Sequence, residues 1–303
     1  MFTIIGDKLA KNLAQSLQYP LISVKETTFP DGEVKPILEK EEIFDKGVVF
    51  LQKKEKENIN SYLIKLYLLL EKLSSLSKEL FLIIPYFPYA RQDTIFRKGE
   101  PLSSYYIIKL LEKNVSGIIT INYHQHRQKI ENLFSKKAEN ISVFSYFKNK
   151  LKKIGELKEN SIIIGPDEES EFFVKDFIED DYFPFYIFKK IRDLNTGKVK
   201  FLYDKKKLKE ILEKKQEAII VDDIVSSAQT IKKIKDILLS LNKNLKLKLI
   251  FVHSILGNQT IFNLKKLGFK KIYTTNTIEN RYYFLDINEI LKEKIIEIFN
   301  FKK

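Results

Sequence analysis

The sequence predicts an α/β fold in two halves, each a mainly parallel sheet flanked by helices. Short β-branched or aliphatic runs alternate with amphipathic stretches of helical length, which is the pattern of strands joined by crossover helices. A polar, lysine-rich stretch at 147–160 separates two halves of similar size and similar rhythm. At 303 residues the chain is long enough for each half to bury its own core.

Strands are expected in the first half at FTII (2–5), LISV (21–24), GVVFL (47–51), LFLII (80–84) and GIITI (117–121), with helices over 59–74 and 103–113. The second half has SIIIG (161–165), FYIF (185–188), AIIV (218–221), LKLIFVH (247–253) and KIYTT (271–275), with helices over 228–240 and 258–266. A last apolar-periodic segment, 286–299, begins after Asp286 and reads as a closing helix.

Bulk properties exclude several classes. The composition is 44% hydrophobic and 31% charged, that of a globular chain. With no cysteine there is no disulfide framework, thiolate nucleophile or Cys-built metal site. The first residues, MFTIIGDKLAKNLAQSL, lack the basic-then-apolar order of a secretory signal. The most apolar helix candidate, SYLIKLYLLLEKL, is broken by Lys65 and Lys72 and is too short to span a bilayer, so a cytoplasmic protein with no membrane partner is expected. The net charge is +13, but the lysines are mixed with acids, as in DKKKLKEILEKK at 204–215. Such runs coat solvated helix faces, and no nucleic-acid partner is expected.

The sharpest local signal is AIIVDDIVSSAQTI at 218–231. A buried strand is followed by two acids where it should leave the sheet, the edge at which open α/β sheets bind ligands. Ser226, Ser227 and Thr230 then lead into a helix whose first N–H groups lack intrahelical partners, a cradle for phosphate. Asp222 and Asp223 are suited to vicinal sugar hydroxyls or to hydrated Mg²⁺. An Asp–Ser helix cap after an ordinary strand is the plainer alternative. Here the sequence resembles the phosphoribosyl-diphosphate loop shared by phosphoribosyltransferases and ribose-phosphate diphosphokinases. Asp222, Asp223, Ser227 and Thr230 fit it, while Ala228 and Gln229 stand where that pattern carries two glycines.

TTFPDGEVKP at 27–36 and IIPYFPYARQDTIFRKGEPLS at 83–103 separate the two families. Taken alone, the first is an acidic turn. The second joins aromatics, an arginine and a glutamine after a strand: a ring can stack on adenine, glutamine can meet its edge, and arginine can grip phosphate. Both resemble the ATP-binding elements of ribose-phosphate diphosphokinases, which implies Phe29, Asp31, Glu33, Arg91, Gln92 and Asp93 as ATP-binding residues. In that family the FPDGE element comes from a neighbouring subunit, so the resemblance also implies a homo-oligomer. Thr94 replaces a basic residue common after the RQD triplet.

Three further segments follow in family order. In NYHQHRQKIENLF (122–134), His124 matches the metal-binding histidine of an Asp-x-His pattern whose acid is here Asn122; His126 is expected to be a surface residue. In SIIIGPDEESEFF (161–173), Asp167 matches the metal-contacting acid of the pyrophosphate loop, with Glu169 and Ser170 at its glycine positions. In FYIFKKIRDLNTGKVKFL (185–202), Lys190 and Arg192 follow a strand and enter a polar segment. That is either a solvated hairpin or a mobile loop able to neutralise a transferring phosphoryl group. It looks like the catalytic loop of the diphosphokinases. YTTNTIEN (273–280) resembles a family turn without chemical role.

The resemblance implies two phosphoribosyltransferase-like domains over 1–146 and 147–283, with a C-terminal helix (284–303) packing on the first. It implies transfer of the β,γ-diphosphoryl group of ATP to the C1 hydroxyl of ribose 5-phosphate. Mg²⁺ is the implied cofactor, held by His124 and Asp167. Lys190 and Arg192 are then catalytic, and Asp222, Asp223, Ser226, Ser227, Ala228, Gln229 and Thr230 bind ribose 5-phosphate. Two alternatives stay open: a weakened homologue that binds nucleotide and regulates an active enzyme, motivated by positions 168–170 and 228–229, and a phosphoribosyltransferase of another substrate class.

Overall fold

A computed structural model describes residues 2–124, 127–179, 181–192, 199–225 and 228–299, with the backbone alone at Arg192, Val199, Ile298 and Phe299. The chain divides into two units, each described by itself. One runs to Ile141 and includes Thr277–Glu279 and the segment from Asp286; the other comprises Ser142–Asn276 and Asn280–Leu285.

The first unit follows the order β1 (Phe2–Gly6), α1 (Lys8–Leu17), β2 (Leu21–Thr28), β3 (Val34–Leu38), β4 (Phe44–Phe50), α2 (Ile59–Ser74), β5 (Ser77–Ile84), α3 (Ser103–Glu112), β6 (Gly117–Ile121), α4 (Ile130–Leu133) and β7 (Lys137–Ile141). Its sheet has the order β3-β2-β1-β4-β5-β6-β7 and is parallel except where β3 returns against β2. The runs at the centre are strands because both faces are covered: Ile5, Val49, Leu82 and Ile118 are fully or almost fully buried in one core with Leu66, Leu70 and Leu73 of α2. Pro36 sits in β3, the edge strand, where a missing N–H costs no ladder bond on the open side.

Asp7 starts α1 by accepting from Leu9 N at 2.9 Å, and its second oxygen accepts from Gln52 N at 2.8 Å just past β4. Asn58 caps α2 through Asn60 N at 2.8 Å. Lys65, which interrupts the apolar run of α2, is only 2% exposed; its ammonium is held by Glu26, at 2.7 Å, and Glu57. A lysine is tolerated there because its charge is paired.

The second unit continues with α5 (Phe144–Lys153), β8 (Ser161–Gly165), α6 (Glu171–Ile178), β9 (Phe185–Ile187), β10 (Lys189–Arg192), β11 (Val199–Leu202), α7 (Lys205–Glu213), β12 (Glu217–Val225), α8 (Ala228–Leu241), β13 (Lys246–Ser254), α9 (Asn258–Lys266) and β14 (Lys271–Tyr273). Its sheet, β14-β13-β12-β8-β9, is wholly parallel. Strands β10 and β11 form a separate antiparallel ribbon, pairing Lys190 with Phe201 and Ile191 with Lys200. The 147–160 stretch, read as a boundary region, carries the end of α5 and the turn before β8, inside this unit.

A last helix, α10 (Ile287–Phe299), belongs to the first unit, where it contacts α1 and Asn288 Nδ2 donates to Leu9 O at 3.3 Å. Each strand run read from the sequence overlaps a strand of one of the two parallel sheets. No helix among the described residues is long and apolar enough to cross a membrane.

Candidate active site

In the second unit the site residues gather at the carboxyl ends of β8 and β12. β12 pairs with β8 only as far as Ile220–Ile164, but runs on beside β13 to Val225, opposite Ser254. The two acids therefore lie within the strand, on the part that overruns β8, rather than past its end as the sequence led one to expect. The cause is β13, whose own length keeps β12 hydrogen-bonded through Val225. Asp223 is buried and its N–H donates to Asp222 Oδ1 at 3.0 Å. Burial first, and then the negative charges of Asp223 and Asp167, push the Asp222 carboxyl well above the usual carboxylate range.

Asp167 comes two residues after β8 and begins a turn of 3₁₀ helix, Glu168–Ser170. Its Oδ1 accepts from Ser170 N at 3.2 Å, while its own N–H donates to Ser170 Oγ at 3.3 Å. Ser170 has φ −76° and ψ −10°, an ordinary right-handed conformation, so this version of the loop needs no glycine there. The glycine it does need is Gly165: a Cβ at that position would come within 2.4 Å of Ser170 Oγ and 2.5 Å of Ile187 Cδ1. Asp167 Oδ2 accepts from Lys190 Nζ at 3.2 Å, and Glu168 meets Lys189 at 3.7 Å.

Lys190 and Arg192 lie on β10, so the segment leaves its base as a hairpin ribbon. Buried Phe188 anchors it, with Tyr186, Phe201 and Tyr203 at ring-centroid distances of 5.4, 5.9 and 5.7 Å. Aromatics placed on both sides of Asn195-Thr196-Gly197 are the hairpin signal that the sequence carried. That tip, the Arg192 side chain and both Ser226 and Ser227 are outside the described residues. Ala228 and Gln229 form the start of α8, followed by half-buried Thr230. Helical backbone there favours alanine and glutamine over glycine, which accounts for the departure from a glycine pair. α8 begins just beyond the carboxyl end of β12, and the first N–H groups of a helix have no intrahelical partner.

In the first unit, residues 29–33 close the β2–β3 hairpin: Phe29 N donates to Glu33 O at 2.8 Å, Gly32 N to Phe29 O at 2.9 Å, and Glu33 N to Asp31 Oδ1 at 3.1 Å. Gly32 has φ +95°, a conformation that glycine adopts without strain. Phe29, Asp31 and Glu33 are all exposed. Arg91 and Gln92 are exposed on the loop after β5, three strands from β2 across the sheet, with β1 and β4 between. At a strand spacing of about 4.8 Å, the two elements of one chain are held apart by about 14 Å of sheet.

Asp93 turns inward. It is buried and accepts from Arg127 Nη1 at 2.8 Å; Arg127 in turn lies over the ring of Phe96, 5.5 Å from its centroid. Neither Arg127 nor Phe96 was singled out in the sequence, because the pairing depends on β5 and β6 being neighbours. His124 is buried just past β6, and Asn122 has a left-handed φ of +42°; His126 is outside the described residues. In the other unit, Thr274 and Thr275 bond Val252 O at 3.2 and 2.9 Å, a structural use of the YTTNTIEN segment.

Among the described residues, no three His, Cys, Asp or Glu side chains form a group able to enclose a metal ion by themselves. The crowded carboxylates Asp167, Asp222 and Asp223 are hard oxygen donors in a negative field. That fits Mg²⁺ carried on substrate phosphates, which takes one or two protein carboxylates and keeps water on its other positions.

Comparison with known proteins gives a consistent answer. Residues 5–114 match the family described as the N-terminal domain of ribose phosphate pyrophosphokinase. A ribose-phosphate pyrophosphokinase of Saccharolobus solfataricus is 30% identical over 280 residues, covering 88% of this chain and 89% of that protein. One from Sulfurisphaera tokodaii is 25% identical, with 94% and 96% covered. In structure, the chain is similar to the phosphoribosylpyrophosphate synthetase of Mycobacterium smegmatis, with a TM-score of 0.78, 19% identity and 99% of each chain covered.

Proposed function

The chain belongs to the ribose-phosphate pyrophosphokinase family, and from that premise we propose that it transfers the β,γ-diphosphoryl group of ATP to ribose 5-phosphate, yielding 5-phosphoribosyl 1-diphosphate and AMP. The observation that carries this reading is the cluster at the ends of β8 and β12. Asp167 paired with Lys190, beside Asp222 and Asp223 and ahead of the α8 N-terminus, offers groups for a metal-bound diphosphate, a sugar diol and a phosphate.

The ribose C1 hydroxyl attacks the β-phosphorus and releases its proton to solvent; the bond from that phosphorus to the α,β-bridging oxygen breaks, and AMP leaves with the oxygen. Asp223 accepts from one ribose hydroxyl. Asp222, whose raised carboxyl holds a proton more readily, can donate to the other. Residues 226–230 hold the 5-phosphate at the helix start. Lys190, released from Asp167, and Arg192 neutralise charge gathering on the transferred group. Phe29 and Gln92 receive adenine, while Arg91 grips phosphate. Mg²⁺ would supply charge neutralisation and polarisation of the phosphoryl oxygens; in the second unit Asp167 would hold it, and in the first His124 is the residue suited to it. Most of the rate gain comes from orientation and electrostatics rather than from a strong base.

The reading includes a homo-oligomer in which the 29–33 tip of one chain completes the ATP site of another, supported by the separation of the two elements within one sheet. A cytoplasmic location accompanies it. The test is incubation with Mg²⁺, ribose 5-phosphate and ATP labelled at the β-phosphorus. Label in the sugar product with equal formation of AMP supports the proposal. Binding of ATP with no AMP formed would instead identify a weakened homologue.

A further inference from the structure

The Asp93–Arg127 pair is buried on one side only. The Asp93 side chain is 2% exposed, whereas that of Arg127 is 35% exposed. Asp93 Oδ2 is buried with no hydrogen-bond partner among the described residues, so its charge leans on the 2.8 Å bond from Arg127 to the other oxygen. Burying a carboxylate with one oxygen unbonded costs stability, so the arrangement is a poor one for stability alone. Here the acid is sunk beneath the surface while the arginine side chain reaches solvent.

Phe96, itself 68% exposed, lies beneath that guanidinium, its ring centroid 5.5 Å from the guanidinium carbon. A guanidinium is a planar fork of N–H donors suited to phosphate oxygens, and here its Nη1 donates to Asp93 Oδ1. The location is the carboxyl edge of adjacent strands β5 and β6, the edge that also bears Arg91, Gln92 and His124. Thr94, beside Asp93, brings no charge of its own.

We propose that Arg127 binds the polyphosphate of ATP, with Asp93 as the residue that positions it. The inference rests on the diphosphokinase reading for the identity of the nucleotide. Arg127 thus brings from 34 residues downstream a cation that the RQD loop lacks at position 94.

Two variants and one labelling experiment test this. Arg127→Lys keeps the ion pair but loses the fork; Asp93→Asn with Arg127→Gln removes both charges and leaves no buried carboxylate alone. Each should raise the KM and Kd for Mg-ATP by about 10- to 100-fold, the loss of one charge-assisted phosphate contact. The KM for ribose 5-phosphate should stay within about twofold. In the unmodified protein, Mg-ATP should protect Arg127 from phenylglyoxal, read by peptide mass spectrometry, and ribose 5-phosphate should not. A folded variant that binds Mg-ATP within about twofold of wild type overturns the proposal. So does equal weakening of both substrates, or equal labelling of Arg127 with and without ATP. A wild type that binds Mg-ATP but forms no AMP overturns the diphosphokinase reading and leaves Arg127 to be decided by calorimetry and labelling. One that does not bind Mg-ATP overturns both.

Discussion

Lys190 Nζ stands 3.2 Å from Asp167 Oδ2, joining the hairpin ribbon to the turn that ends β8. The side chains are 30% and 18% exposed, so water screens the pair and its net strength is modest. Such a contact can be exchanged. On the proposed function, a metal-bound diphosphate arriving at Asp167 would offer Lys190 a stronger anion and Asp167 a stronger cation.

If Lys190 then acts chiefly on the transition state, Lys190→Ala lowers turnover by about 30- to 1000-fold, equivalent to about 2–4 kcal/mol, and changes Mg-ATP affinity far less. Arg192→Ala should behave alike, and Arg192→Lys should recover only part because an ammonium lacks the planar grip. Product formation at saturating substrates, paired with calorimetry for ATP, measures both quantities. Full turnover in both alanine variants would remove the ribbon from the mechanism.

Asp222 gives a pH signature. Its folded carboxyl is raised by burial and by Asp223 and Asp167, above the ordinary 3.8. Between 3.8 and that raised value the folded state holds more protons than the unfolded chain. The stabilisation is therefore fully present below the ordinary value and is lost as pH rises through the folded one. Each unit of the rise corresponds to about 1.4 kcal/mol. Asp222→Asn should melt above wild type near pH 8, lose that advantage near about pH 4, and bind ribose 5-phosphate more weakly. Parallel melting curves across pH would show that Asp222 does not titrate in this way.

The parts of the fold legible in the sequence were those that one segment decides alone. GIITI and SIIIG read as strands because complete burial demands uninterrupted apolar runs, and both are buried throughout. KLAKNLAQSL gives a weak helix signal because its buried stripe is only Leu9, Ala10, Leu13 and Ala14. Strand β3 is not legible in the sequence, because Pro36 argues against a strand until the edge position is known. At the candidate site, Asp167, Lys190, Asp222 and Asp223 were legible as acids or cations after apolar runs. The overrun of β12 and the Asp93–Arg127 bond were not, since each is created by a neighbouring strand.

The proposed use of Mg²⁺ makes Asn122 a test position. It is 2% exposed, with φ +42°, and its N–H donates to Ile141 O at 3.0 Å. Aspartate shares asparagine's tolerance of left-handed backbone, so Asn122→Asp should retain the loop. The added carboxylate should lower the Mg²⁺ concentration giving half activity with little change in maximum rate. Without Mg²⁺, the new buried charge should lower the melting temperature. Superimposable magnesium titrations of the two proteins would place Asn122 away from the working ion.

The last prediction concerns a shared ATP site. The tip carrying Asp31 and Glu33 and the loop carrying Arg91 are on one sheet edge but separated by β1 and β4. Glu33 holds the turn through its backbone, accepting from Phe29 N and donating to Asp31 Oδ1, while its side chain is exposed. Glu33→Ala should therefore remove a carboxylate without unfolding the hairpin. Arg91 is exposed as well, and Arg91→Ala should be equally local. Each variant alone should be nearly inactive, with its melting temperature close to wild type. If one chain supplies the tip and another the loop, random mixing in equal amounts restores both partners in about a quarter of the sites. Mixed oligomers, verified by distinct affinity tags on the two chains, should thus regain activity approaching about a quarter of wild type. Recovery should vanish when the two changes are placed on the same chain and mixed with itself. No recovery in verified mixed oligomers would mean that tip and loop serve the site from within one chain, or that the tip does not serve it at all.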